Sequence, residues 1–559
     1  VSLLLALTPA PLALIAATQP MHQPLPYADV DYRGELWTRY AAATCNLLTR
    51  PDRYSIDTFR SNATCTPGAL WIDWPGDQLG RFLTALHGAE GHGWTPAAAF
   101  RSAIGDVVLP AQTENGNFGV PLPPDSRDGR VPSGNAFALR GLMDAYDDTG
   151  EQRYLDAARR LARYFEAAAP TWGSKPGEML HEFYGHCIDG LVRLHELGGD
   201  DWALELAKGL ASHAGRTGHT HHSLSLYRGI IELCLATGET DLLSRAEDYL
   251  AWCAECRTVS GALPEAMPAS EQDEGCGLAD YVVVNLLAFC ATGRDAYIQD
   301  AERTLVNQFF MNQFHTGGFG HRGFGQEIVG GKVWQGWEGQ FGSENPGCCS
   351  IWGQWALGEL GRFIVTESGE AVEVNLYPQA GVSLPKRRIR LEIGSDFPQM
   401  SRATVTVHCD RPTHFPLSLR IPAWAETATA SGDGVRGRHA KPGERLVIDR
   451  EWHSGDSVEL RFGVEPRLVP WPSRAAGTAG VFAGPLCLAL SSADANVDEL
   501  DRVRVDAAGR PIRDAAGRVM AEDATGTRHA ALAPLERDWL SPDVKDPHRL
   551  RILFRPTGR

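Results

Sequence analysis

The sequence contains no glycine-rich phosphate loop and no dinucleotide-binding fingerprint; its many glycines act as punctuation between elements. It has no basic tract either. Lys and Arg number 53 against 69 Asp and Glu, a net charge of −16, so nucleic acid is excluded as the expected partner. The twelve cysteines show none of the regular spacing of a small disulfide-stapled domain. Most, such as Cys234 and Cys290, sit in apolar helical stretches where a thiol serves as a small hydrophobe. Cys253 and Cys256 form a Cys-x-x-Cys with no second pair to complete a metal site, and are read as structural. Residues 1–20 are apolar and resemble the hydrophobic part of a secretory signal, but no Lys or Arg precedes them and Pro9 and Pro11 interrupt them. The run is short for a membrane span, and no membrane partner is expected. Met21 is an alternative start, so the compartment stays open between cytoplasm and a periplasmic or secreted location.

What is present is a long, soluble-looking chain. Its 559 residues, 43% hydrophobic and 22% charged, suit two to four domains with proper cores. From about residue 36 to 365 the pattern is helical, and apolar helices end at Gly150, Gly199, Gly238 and Gly293, each followed by a second helix starting near an acidic residue. Paired helices with connections of uneven length predict a closed α/α toroid over residues 21–365 rather than an open solenoid. After residue 366 the period changes to two. Ala371 to Tyr377, Arg390 to Ile393, Ala403 to His408 and Ser457 to Phe462 read as strands of a β-sandwich over 366–470. Residues 471–559 read as a second β module or C-terminal extension. It holds one strand from Val481 to Leu490, then a polar tail with a short closing strand at Leu550 to Phe554.

The chemistry concentrates in two segments. Glu274-Gly-Cys276 lies about seventy residues before Cys348-Cys349, and one carboxylate with three thiols is a four-ligand zinc set. Adjacent cysteines rarely bridge one another, whereas a metal explains the pair and keeps sulfur in its reactive thiolate form. Upstream, Glu265 follows a proline in a non-helical segment, placed to act as a carboxylic acid in a pocket; an apolar surround would keep it protonated. Nucleophile, metal and acid together suggest covalent catalysis. A zinc staple that merely pins the barrel mouth is the structural alternative, since four protein ligands form a closed site. Asp77 is read as a substrate contact or a helix cap. Trp334 and Trp337 flank the approach to Cys348 and are read as sugar-stacking or core residues.

Several ordered motifs carry a resemblance. They are Gln112-Thr-Glu-Asn-Gly116, His181-Glu-Phe-Tyr184 with Gly185-His186, Gly218-His219, Glu274-Gly-Cys276 and Cys348-Cys349. Leu419-Arg-Ile-Pro-Ala-Trp424 and Trp452 to Leu460 follow in the sandwich. In this order they resemble the β-L-arabinofuranosidase family of glycoside hydrolases over about residues 30 to 490. The resemblance implies an (α/α)6 barrel followed by β-sandwich domains and a retaining hydrolase acting on β-L-arabinofuranosides or a related sugar. It implies zinc held by Glu274, Cys276, Cys348 and Cys349, with Cys348 as nucleophile and Glu265 as acid/base. His181, His219, more weakly His186, and Trp337 become expected sugar contacts. Where the family pattern follows Cys-Cys with Pro-Pro-Asn, this chain has Ser350-Ile351-Trp352, a change expected to lie beside the sugar. The expected partners are an oligosaccharide or glycoside and, at most, a second copy in a homodimer. The rival functions are another toroid carbohydrate enzyme, a lyase or unsaturated-uronide hydrolase, and a non-catalytic carbohydrate-binding protein with a structural zinc.

Overall fold

The computed structural model describes residues 22–66, 74–121, 130–172, 185–216, 218–270, 272–323, 337–338, 343–470, 477–492, 494–535 and 549–558. The apolar leader, His181 and Trp334 lie outside them. Helices occupy the first two thirds: α1 (Gly34–Thr49), α2 (Ile56–Thr64), α3 (Asp77–Gly91), α4 (Pro96–Val108), α5 (Arg130–Thr149), α6 (Gln152–Trp172), α7 (Ile188–Gly198), α8 (Asp201–Ala211), α9 (Thr220–Thr237), α10 (Leu243–Cys256), α11 (Gly275–Thr292), α12 (Asp295–Thr304) and α13 (Cys348–Glu359). Alternate helices α3, α5, α7, α9, α11 and α13 pack each against the next, and α13 closes on α3. Outside them, α4, α6, α8, α10 and α12 each back the inner helix that precedes them, while α1 backs α13. Six inner and six outer helices make an (α/α)6 barrel.

The sequence dictates which helices go inside. Every residue of α11 from Gly275 to Cys290 is buried, so this helix, apolar enough by composition to cross a membrane, is barrel core. Inner helices α3 and α5 touch through glycines: a Cβ on Gly80 would lie 2.0 Å from the Phe137 carbonyl carbon, and one on Gly141 2.4 Å from the Gly80 oxygen. The glycine stops read from the sequence are left-handed, with φ of 64° at Gly150, 72° at Gly199 and Gly238, and 69° at Gly293.

Past Phe363 the chain turns to strands. One sheet runs Val30–Tyr32, Ala380–Leu384, Ile389–Ser395, Arg402–Cys409, Ser457–Phe462, Ala428–Gly432, Val435–Ala440; the other runs Arg445–Trp452, Thr413–Arg420, Ala371–Val374, Val365–Ser368. Alternate residues such as Leu391, Val405, Leu417 and Leu460 enter the common core. The first strand comes from ahead of the barrel helices, within the span 21–365 assigned to the toroid, and pairs antiparallel with Ala380–Leu384. The expected strand from Val481 to Leu490 is two strands, Ala479–Ala483 and Leu486–Ser491, because Gly484 at φ 57° and Pro485 turn the chain between them. The polar tail is richer in strands than expected. Arg502–Val505, Met520–Glu522, His529–Ala531 and Arg555–Gly558 form a sheet. Its turns are built by Asp506, Asp514 and Asp523, whose side chains accept backbone N–H groups two and four residues on. This module meets the barrel through Phe482, Cys487 and Ile552, packed against Val259, Ala262 and Met311.

Candidate active site

Four polar groups converge at one mouth of the barrel because the chain places them at the starts of two adjacent inner helices. Glu274 ends a short strand, Gln272–Glu274, and is the residue just before α11; Cys276 lies in the first turn of α11. Cys348 and Cys349 open α13, after Gly347. One ligand atom from each of Glu274, Cys276, Cys348 and Cys349 lies within 4.8 Å of all the others. Cys276 Sγ is 3.6 Å from Cys349 Sγ, which is 3.9 Å from Cys348 Sγ, and Cys348 Sγ is 3.9 Å from Glu274 Oε1. Three of the four residues are buried; Cys348 alone is partly exposed, and Asn345 Nδ2 points at its sulfur from 3.5 Å.

The cluster is electrostatically polarised. Hydrogen bonds from Cys276 and then Cys349 hold the Cys348 thiol well below its ordinary value, and Arg81 and His221 add to this against burial. Burial pushes the Cys276 and Cys349 thiols up. Burial also pushes Glu274 well up, with Cys348 and Glu265 adding to it. Glu274 Oε2 is buried and has no hydrogen-bond partner among the described residues.

Glu265 belongs to a neighbouring cluster that shares Glu274. His219, Glu265 and Glu274 also offer ligand atoms within 4.8 Å of one another. Backbone bonds fix this arrangement: Thr220 N donates to Glu265 O (2.9 Å), Glu265 N to Gln272 O (2.9 Å) and Met267 N to Gly218 O (2.6 Å). Gln272 Nε2 donates to Glu265 Oε2 at 2.6 Å, and His321 Nε2 lies 3.7 Å from Glu265 Oε1. His219 stacks on His222 with ring centroids 4.3 Å apart, and His222 lies 4.9 Å from His186. Burial leads the lowering of these three imidazoles: His219 to about 4, and His186 and His222 well below the ordinary histidine value. His186 Nδ1 meets Ser133 Oγ at 3.1 Å, and its Nε2 is buried with no hydrogen-bond partner among the described residues. His186 stands in a 3-10 turn, Gly185–Cys187, that leads straight into α7. Trp337 has its backbone paired with Leu550; its side chain lies outside the described residues.

Beneath the mouth runs a buried chain of charges that the sequence reading did not find. Arg81 Nη2 donates to His221 Nε2 (2.8 Å), which leaves the ring proton on Nδ1 for Asp280 Oδ2 (2.6 Å). Asp280 further accepts from Ser225 (3.0 Å), Arg228 (2.9 Å) and Trp352 Nε1 (2.8 Å). Arg228 goes on to Asp189 at 2.7 Å. Asp77 neither caps α3 nor stands open to solvent: it is buried and takes Arg81 Nε at 2.9 Å. The Arg81 guanidinium lies 3.7 Å from the Phe137 ring centre. The departure after Cys349 is explained here. Ser350, Ile351 and Trp352 are buried and take part in the support of the cysteine pair. Ser350 Oγ both accepts from Phe319 N and donates to Phe319 O, at 3.0 Å each, and Trp352 secures Asp280. The only sequence signal for this layer was the crowding of His219, His221 and His222 into one helical turn.

No curated protein matches the chain by sequence. Among solved structures, a GH127 β-arabinofuranosidase superposes with a TM-score of 0.73 at 17% identity, covering 96% of this chain and 98% of that one. A GH127 β-L-arabinofuranosidase from Geobacillus stearothermophilus T6 gives 0.74 at 15% identity, over 94% of this chain and 100% of the other. A third, described as a glycoside hydrolase, gives 0.70 at 16% identity, over 96% and 98%. At these identities the likeness establishes a shared fold from end to end. Family profiles add sequence to fold: the β-L-arabinofuranosidase GH127 catalytic-domain profile matches residues 136–249, within the barrel. The GH127 middle-domain profile matches residues 371–464, within the sandwich. Both profiles fall within their own structural domains, so in sequence profile as well as in fold the chain is similar to the β-L-arabinofuranosidase family of glycoside hydrolases.

Proposed function

We propose that the protein hydrolyses β-L-arabinofuranosides or a closely related glycoside with retention, using Cys348 as nucleophile and Glu265 as acid/base. The observation that carries this reading is the exposure pattern of the thiol cluster. Of four converging groups only Cys348 is partly exposed, and Glu265 offers a second carboxylate within 4.8 Å of Glu274. A purely structural site has no need of one accessible sulfur with a second carboxylate next to the cluster.

The donor set fits zinc. With Zn–S of about 2.3 Å, a tetrahedral site has S···S edges of about 3.8 Å. The sulfur separations of 3.6 and 3.9 Å straddle that edge. Three thiols and a buried carboxylate, all within reach of one point, make a donor set that suits a dication. Glu274, Cys276, Cys348 and Cys349 would hold the ion, and when bound it would keep the thiols ionised at neutral pH.

The residues then divide the work. In the first displacement, Cys348 Sγ forms a bond to the anomeric carbon as the glycosidic C–O bond breaks, and Glu265 gives its proton to the departing oxygen. In the second, Glu265 takes a proton from water, whose oxygen bonds the anomeric carbon as the C–S bond breaks and the thiolate is restored. Two inversions give net retention. Gln272 orients the Glu265 carboxylate, and Asn345 orients the Cys348 sulfur. The neutral imidazoles of His219 and His186 are the proposed sugar contacts near the cluster, and the sequence resemblance adds His181 and Trp337 to that proposal.

The test is an aryl β-L-arabinofuranoside followed by NMR at early times, with metal content measured on the same sample. Retained β product, about one zinc per chain, and a Cys348→Ser variant that binds substrate without turnover are expected. An inverted product, or a fully active Cys348→Ser enzyme, would return the cluster to the role of a staple.

A further inference from the structure

We propose that the mouth of the barrel contains a second, inhibitory divalent-cation position, formed by His219, Glu265 and Glu274 beside the thiol cluster. It shares the Glu274 carboxylate with that cluster and rests on the zinc and acid/base reading above.

The geometry starts with Glu274, whose two oxygens serve different neighbours. Oε1 faces Cys348 Sγ at 3.9 Å, whereas Oε2 faces His219 Nε2, also at 3.9 Å. Glu274 is only 7% exposed, and Oε2 has no hydrogen-bond partner among the described residues. A buried carboxylate oxygen without a donor is costly, which marks a place where a cation belongs. The three ligand atoms lie within 4.8 Å of one another, so closing onto one ion requires side-chain rotations rather than backbone movement. His219 and Glu265 are already held side by side, through Thr220 N on Glu265 O and the bridge between His219 and Ala266.

Charge favours the second ion. Zinc in the thiol cluster faces three thiolates and a carboxylate, which leaves two negative charges; Glu265 adds a third when ionised. The nearby cation, Arg81, is already paired with Asp77. Ligand count sets the affinity order. Four ligands including three thiolates make a closed, tight site, while one imidazole and two carboxylates leave an open position and a more exchangeable ion. The consequence follows from the role of Glu265: a carboxylate that coordinates a cation cannot deliver a proton to a leaving oxygen. The same metal is therefore required at the first equivalent and inhibitory at the second.

Enzyme holding its first zinc should be dialysed against increasing free zinc, with metal per chain and turnover of the aryl glycoside measured on each sample. A second equivalent should bind as turnover falls, with a common midpoint. Cobalt used in place of zinc should add no thiolate-to-metal charge-transfer absorption at the second equivalent, because the ligands are nitrogen and oxygen. His219→Gln and Glu265→Gln should each lose the second equivalent and keep the first, and the retained first ion reports intact folding. A content fixed at one per chain at every zinc concentration would overturn the proposal. So would a second equivalent that survives His219→Gln, or one that adds thiolate absorption. A folded chain that takes up no metal at all would overturn this proposal together with the zinc reading beneath it, and is distinguished by the missing first equivalent.

Discussion

Replacing Asp280 with Asn tests whether the buried charge chain supports the site. Asp280 is fully buried and receives four donors: His221 Nδ1 at 2.6 Å, Trp352 Nε1 at 2.8 Å, Arg228 Nη1 at 2.9 Å and Ser225 Oγ at 3.0 Å. Asparagine keeps the shape but offers one acceptor oxygen and turns an N–H₂ group toward donors. Arg228 keeps Asp189 but loses its second anion. Removing one partner of a buried ion pair costs about 3–5 kcal/mol, whereas a solvated surface pair is worth about 1 kcal/mol or less. The zero exposure of Asp280 selects the larger figure, a sizeable part of the roughly 5–15 kcal/mol that holds a typical domain folded. The assay is urea unfolding of wild type and variant, followed by tryptophan fluorescence, since Trp352 contacts the substituted residue. The difference should depend on pH. Burial opposes ionisation of Asp280, but His221 and Arg228 hold its carboxyl below the usual range. A depressed carboxylate contributes stability above its unfolded value of about 3.9, and that stability is lost as pH falls through the folded value. The gap between wild type and variant should therefore be full near neutrality and shrink in acid. A loss under about 1 kcal/mol at neutral pH would refute the reasoning, because the pair would then behave as a screened one.

Other expectations follow from the same geometry. Glu265→Gln should lower turnover on glycosides with poor leaving groups by about 10²–10⁴-fold while the first zinc stays bound; unchanged kinetics would move the acid role to another residue. Cys276→Ala should lose that zinc, since its sulfur is buried among the other ligands, and metal analysis of reduced protein checks it. The imidazoles make the barrel acid-sensitive: burial, then His221, lowers His219 from 6.5 to about 4, and burial likewise lowers His186, His221 and His222. A lowered histidine is neutral when folded and charges on unfolding below 6.5, so its contribution is complete above 6.5 and lost as pH falls toward 4. Urea midpoints should fall across that window, and a flat profile would contradict the assignment.

Much of the barrel was legible because helix stops are local events. Gly150, Gly199, Gly238 and Gly293 announce left-handed caps without reference to tertiary structure. The convergence of Glu274, Cys276, Cys348 and Cys349 was legible because the four residues fall in two short segments with distinctive chemistry. The layer beneath was not, since Asp280 and Arg228 look like any charged residues within a helical pattern. Only the closed ring shows that they face its interior. The strand Val30–Tyr32 escaped notice because three residues carry no period, and its pairing partner lies some 350 residues away. The C-terminal sheet was hidden by its turns: Asp506, Asp514 and Asp523 make the composition look like a polar tail while folding each connection tightly.

The residues after the cysteine pair show how a local departure from a family pattern is to be weighed. Read along the chain, Ser350-Ile351-Trp352 touches the nucleophile and so suggested a changed sugar. Read in the fold, a helix turns each successive side chain by about 100°, so residues next to Cys348 in sequence point elsewhere. Trp352 is fully buried, stacks on Trp355 at 4.2 Å and donates to Asp280. Asp280 in turn fixes the tautomer of His221, and His221 holds Arg81 beside the thiols. The substitution thus belongs to the buried support of the thiol cluster, and differences in thiol reactivity among relatives of this chain should be sought around Trp352 and Asp280.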